Sequence, residues 1–271
     1  MKSANLGGRE PTLFVIPGSH ACRSAIMMLD YKGIDFRRVE LHTGLHPLSV
    51  RVRGFALAGR PLRSVDGRTH RSLALLDRLG TVPALSIAGE RVQTNHQIAR
   101  HLDRLQPDPG LFPSDPELRA AVEEAESWGD EVLQMAARRA SLCASSHGLD
   151  SLHRRGGAGR LGALLAPTDR RRAVAARTAA AIFRAGPARE REVLDSLPAM
   201  LDRIDAWIAG GVLGAPTATV ADFMIVPSLA LLCYQEPLRS EIEARPAGVL
   251  MERLLPEPPL ARESRAAQPI N

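Results

Sequence analysis

Short apolar runs punctuated by proline and glycine fill the first hundred residues, and longer helical periodicities fill the rest. Thr12-Leu13-Phe14-Val15-Ile16 is apolar and bounded by Pro11 and Pro17-Gly18, which predicts a buried strand. Ser19 follows as a candidate N-cap for a helix through Ile26, Met27, Leu29 and Asp30, closed at Lys32-Gly33. Asp35 to Leu41 alternates and reads as a second strand, so the opening is a βαβ unit. Further on, the Val82-Pro83 pair holds Thr81 to Leu85 extended. A Gly89-Glu90 turn then leads into Val92 to Ile98, the pattern of a hairpin. Thr94 or Asn95 can cap a helix running through Ile98, His101 and Leu102.

Together these pieces make a small α/β domain over 11–104, interrupted by an insertion at 42–80 that is long for a compact domain. Pro47 to Leu57 and Thr69 to Leu79 are possible helical pieces within it, as a lid or as surface decoration. A breaker-rich linker at 105–114 separates this half from an all-helical one at 115–255. There, Pro116 to His147 carries Leu118, Val122, Ala125, Trp128, Val132, Met135 and Ala136 at helical spacing. Glu190 to Ala209 is a second amphipathic helix, through Val193, Leu197, Leu201, Ile204 and Ile208. Thr219 and Asp222 form a capping box with aspartate in place of glutamate, worth about 1 kcal/mol. The tail at 256–271, opening with Pro256-Glu257-Pro258-Pro259, has the composition of a disordered segment.

Charge changes this picture locally. The chain has 271 residues and a net charge of +5. Residues 153–191 hold ten arginines and two acids, a segment charge of +8, which leaves −3 for the remainder. An Arg-rich insertion at about 150–190 is therefore either a patch for an acidic partner or a solvated surface. A chain-wide basic field and a recognition-helix motif are both missing, which argues against nucleic acid. No run of about eighteen apolar residues marks a membrane span, and the N-terminus lacks the apolar core of a secretory signal, so the cytoplasm is expected. Cys22, Cys143 and Cys233 are odd in number and far apart, forming neither a disulfide framework nor a metal-ligand set.

The strand, turn, strand and helix around Val82-Pro83, followed by the Thr219-Val220-Ala221-Asp222 box, resemble the glutathione transferase superfamily. The resemblance covers about 11–41, 80–113 and 190–235. It implies a thioredoxin-like N-terminal domain followed by an all-helical C-terminal domain. It also implies glutathione or another low-molecular-weight thiol as co-substrate, a small electrophile, a detoxification role and a possible homodimer. In this family the proline is cis and the residue before it offers its backbone to glutathione, which places Val82 and Pro83 at the thiol site.

Ser19 stands where the family carries a catalytic serine or cysteine, donating a hydrogen bond to the thiol sulfur; without the resemblance it is an N-cap. His20 is a candidate contact or proton shuttle, or an exposed loop histidine. Cys22 is the alternative catalytic residue, or a small buried hydrophobe one turn into the helix. Thr94 and Asn95 occupy the place that holds the γ-glutamyl end of glutathione. Asn95 brings a hydrogen bond at a helix N-terminus, but Thr94 lacks the charge or amide the family uses for the amine. That departure favours a weaker thiol site, and two rival functions follow: a non-catalytic binding module on the same fold, and a thiol-dependent isomerase or reductase using Cys22.

Overall fold

The computed structural model describes residues 10–42, 44–55, 82–146, 159–161 and 177–258. Strand β1 (Thr12–Val15) is buried along its whole length, as its unbroken apolar run requires. Helix α1 (His20–Tyr31) starts at Ser19, whose Oγ accepts the Cys22 N–H at 3.2 Å. It ends at Gly33, whose φ of +62° lets Ile34 N–H return to the Leu29 carbonyl. Strand β2 (Arg37–Glu40) is exposed and charged, the composition expected of a sheet edge. Helix α2 (His46–Val52) overlaps the first helical piece expected in the insertion, Pro47 to Leu57; Thr69 to Leu79 and the lid question lie outside the described residues.

Strands β3 (Ala84–Ile87) and β4 (Glu90–Gln93) form a hairpin closed by Ala88 and Gly89, both at positive φ. Such two-residue turns match the twist of the flanking strands. The sheet order is β2-β1-β3-β4, with β1 parallel to β2 and the other pairings antiparallel. Helix α3 (Asn95–Leu105) packs back on the sheet. This is a thioredoxin-like layer with the βαβ unit and the hairpin sharing one sheet.

The helical half begins at α4 (Pro116–Trp128), capped by Asp115 Oδ1 on the Leu118 N–H at 2.7 Å. A π-helical turn, Gly129–Leu133, carries it into α5 (Gln134–Ser146). A Cβ on Gly129 would come within 3.2 Å of Ile225 Cγ1 and Met224 Cβ, so this turn packs tightly and a side chain there would push its neighbours by a few tenths of an ångström. Helices α6 (Pro187–Ala209), α7 (Val220–Leu232), α8 (Glu236–Glu243) and α9 (Pro246–Leu254) follow. Every residue of α7 is buried, against α1 on one side and α4, α5 and α9 on others. Asp222 begins that helix: its carboxylate accepts the Thr219 and Gly214 N–H groups at 2.8 Å each, completing the capping box.

Two residues, one from the Arg-rich stretch and one from the start of the tail, are tied to the helical half. Arg160, within the Arg-rich stretch, is 4% exposed rather than solvated. Its guanidinium bonds Glu252 and the Leu255 carbonyl, and Leu161 N–H donates to the Tyr234 hydroxyl at 3.3 Å. Gly159 permits this seat, since a Cβ there would lie 2.2 Å from the Tyr234 oxygen. Likewise Glu257, at the start of the expected disordered tail, accepts a bond from Arg239 at 2.6 Å; residues 259–271 lie outside the described residues.

Lys32 is the strongest polar tie between α1 and the linker. Its fully buried Nζ donates to Asp103 Oδ1 at 2.7 Å, the Gln106 carbonyl at 2.6 Å and the Pro109 carbonyl at 2.5 Å. Asp103 also accepts the Leu111 N–H at 2.7 Å, and the Leu111 carbonyl receives Val220 N–H at the start of α7. Removing the lysine strips three acceptors at once, so Lys32→Met lowers stability by about 3–5 kcal/mol. Urea unfolding checks this; a loss below about 1 kcal/mol would show the linker is held by packing alone.

Candidate functional site

Strand register gathers the candidate residues at one end of the sheet. Phe14 pairs with Ala84, and Ala84 with Gln93. Continuing both ladders sets Val82-Pro83 beside Val15-Ile16 on one side and beside Thr94 on the other. The β1–α1 loop bearing Ser19, the Val82–Pro83 bond and the start of α3 therefore share an edge. That bond is cis. Asn95 Nδ2 donates to the Ala21 carbonyl at 2.9 Å, tying the N-termini of α1 and α3 together.

Ser19 is half-buried at the α1 N-terminus. Its oxygen accepts from Cys22 N–H, and its own hydroxyl hydrogen remains a donor. Thr94 has φ +63° and ψ 144°, an uncommon conformation for a β-branched residue, while its Oγ1 accepts the Gln97 N–H at 3.3 Å. Strain of this kind is of order 1–3 kcal/mol and clusters where a backbone group must be aimed. Asn95 is only 2% exposed: its amide NH2 is committed to Ala21, and its Oδ1 is buried with no partner among the described residues. The side chain expected to face a ligand is thus a brace between helices. Val82 is buried.

Two sequence candidates are relocated. His20 is not an exposed loop histidine. Its ring is buried, with Nε2 lying 3.2 Å from the Gln134 carbonyl on α5, an arrangement that requires Nε2–H to donate. Burial, with the nearby Arg138 charge, pushes its pKa down to about 3, so it stays neutral and cannot shuttle protons near neutrality. Cys22 is 2% exposed, and burial pushes its thiol up to about 11, which the neighbouring Ser19 side chain and Ile16 backbone offset only in part. A thiol held protonated in this way is a poor nucleophile, which removes the support for Cys22 as the alternative catalytic residue.

One cluster beside Thr94-Asn95 was not anticipated from the sequence. Glu126 on α4 is completely buried, bonded by Arg100 through both guanidinium nitrogens at 2.7 and 2.8 Å and facing His96 Nδ1 at 3.0 Å. Burial raises its pKa, but the bonds and charges of His96 and Arg100 outweigh that and hold it below the ordinary value. The only signal was an acid on the buried face beside Val122 and Ala125. Among the described residues no His, Cys, Asp or Glu group is placed to hold a metal, and no helix is long and apolar enough to cross a membrane.

Comparison with solved structures shows that this is the glutathione transferase fold. A glutathione transferase-like protein of Pseudomonas syringae matches over 91% of this chain at 17% identity, with a TM-score of 0.53. This chain spans 66% of that protein's length. A glutathione S-transferase of Ceriporiopsis subvermispora, solved with glutathione, matches at 18% identity over 91% of this chain and 95% of its own, with a TM-score of 0.59. The β-etherase LigF of Sphingobium sp. strain SYK-6 matches at 16% identity over 91% and 98%, with a TM-score of 0.53. No protein-family model matches the chain, and no curated protein is significantly similar in sequence. Identities this low define the fold and leave the reaction to the site itself.

The seam between domains carries a pH signature. Unfolded His20 protonates near its ordinary value of 6.5, whereas folded His20 does so only near 3. The stability this residue permits is complete above pH 6.5 and is lost as pH falls toward 3, by up to about 1.4 kcal/mol per pH unit. In His20→Asn, the fall in urea midpoint between about pH 6.5 and about pH 5 becomes shallower. Parallel profiles for the two proteins would contradict the buried neutral assignment.

Proposed function

We propose that the chain binds glutathione, or an equivalent low-molecular-weight thiol, at the end of the sheet and conjugates it to a small electrophile. The observation that supports this most is the convergence of Ser19, the cis Val82–Pro83 bond and the Thr94-Asn95 helix start on one edge. Ser19 donates its hydroxyl hydrogen to the thiolate. Val82 supplies its backbone to the cysteinyl part of the thiol, Pro83 holds that backbone in place, and the Asn95 backbone N–H meets a carboxylate at the start of α3. His20 takes no part.

The energetics are adequate. Lowering a thiol pKa by about two units requires roughly 2.7 kcal/mol. A helix N-terminus contributes about 0.3–1 kcal/mol, up to about 2, and a hydrogen bond to a charged group about 1.5–3 kcal/mol. Together they suffice. The thiol proton passes to solvent, the thiolate sulfur forms a bond to the electrophilic carbon, and the leaving group departs with the electron pair of the bond that breaks. All three cysteines are buried and outside any disulfide, in keeping with a reducing cytoplasm and with chemistry borne by the added thiol.

Titration calorimetry with reduced glutathione, beside a second physiological thiol, tests the reading. Saturable binding in the micromolar to millimolar range is expected for one of them. A folded chain that binds neither would favour a non-catalytic module on this fold. Thr94 sets the strength of the site. Thr94→Glu supplies the missing partner for the γ-glutamyl ammonium and tightens glutathione roughly tenfold to a hundredfold. The same change removes an N-cap and costs about 1 kcal/mol of stability. Unchanged affinity in Thr94→Glu would place the amine elsewhere.

A further inference from the structure

Strand β2 ends the sheet, and only one edge of its backbone is used. Arg37 N–H donates to the Pro11 carbonyl and Leu41 N–H to the Val15 carbonyl, each at 2.8 Å, so the odd-numbered residues face β1. The N–H and C=O groups of Arg38 and Glu40 therefore point away from the sheet. No strand lies beyond them among the described residues. The two side chains also share one face of the sheet, where Arg38 donates to Glu40 Oε1 at 2.8 Å. Both stand well out in solvent, 55% and 50% exposed.

We propose that β2 pairs with β2 of a second copy of this chain, antiparallel and about a two-fold axis at Val39, joining the two sheets into one. In this register Arg38 exchanges both backbone hydrogen bonds with the partner's Glu40, and Glu40 with the partner's Arg38. The same pairings set opposite charges directly across the seam, so the Arg38–Glu40 ion pair becomes a ring of four alternating charges. Other registers lack this match. An axis at Arg38 sets arginine against arginine, and an axis at Glu40 sets glutamate against glutamate. Charged side chains ordinarily keep an edge strand single. Here the signs alternate at the spacing that makes the edge complementary to itself, as an isologous interface requires. The contact is small beside a standard interface, so self-association is weak and concentration-dependent. Thiol binding plays no part in it.

Sedimentation equilibrium of the full chain over a concentration series reads the association. The native chain forms a reversible dimer that weakens at high salt. Arg38→Glu and Glu40→Arg each put like charges across the seam and weaken the dimer roughly tenfold or more. An equal mixture of these two variants restores dimers, because it pairs both acids of one chain with both arginines of the other. The double variant Arg38→Glu/Glu40→Arg dimerises as well. Val39→Cys locates the axis: a non-hydrogen-bonded pair brings the two Cα atoms to about 4.5 Å, within disulfide reach, so this variant crosslinks to itself on mild oxidation. The three native cysteines are buried and contribute little background. A native chain that stays monomeric at every concentration overturns the pairing. So does a dimer indifferent to the charge reversals, a mixture of the single variants that stays apart, or a Val39→Cys dimer that does not crosslink.

Discussion

The bond from Asn95 Nδ2 to the Ala21 carbonyl is the constraint on which the site depends. It joins the first turns of two helices that leave the same end of the sheet. The sheet register brings the Val82–Pro83 bond between them. No single side chain makes this place chemically distinctive. Its character comes from two helix N-termini and one serine hydroxyl held in fixed relation, with Thr94 strained into a left-handed conformation to start the second helix.

Buried charges hold the two halves in register around that end. Lys32 fastens the end of α1 to the linker, and Glu126 fastens α4 to α3 through Arg100 and His96. Each is costly to desolvate and is fully supplied with partners, which is the condition under which buried ions persist. Arg160 repeats the same device, seating residues 159–161 against α9 beside Tyr234. Asp222 plays the equivalent part for α7, ordering the Gly214 and Thr219 backbone groups at the start of a helix that is buried all round.

The fold was legible because its signals are local. A Val-Pro pair, a Gly-containing turn and a Thr-x-x-Asp box each restrict the backbone within a few residues, and all three point to the same architecture. The site was legible only in outline. Ser19 could be placed at a helix start by its position after β1, but nothing local distinguishes an exposed His20 from one turned into Gln134, 114 residues away. The same holds for Asn95, whose amide faces Ala21 across 74 residues. The buried seat of Arg160 could not be read from the sequence, because its partners Glu252 and Glu257 lie far along the chain.

The central claim is that Ser19 and the α1 N-terminus ionise a bound thiol. Ultraviolet difference titration of glutathione bound to the native chain and to Ser19→Ala measures that ionisation directly. The account predicts a bound thiol pKa roughly two units below that of free glutathione, returning by at least about one unit toward the free value in Ser19→Ala. A bound thiol that titrates like the free one, or whose pKa ignores Ser19→Ala, would contradict it.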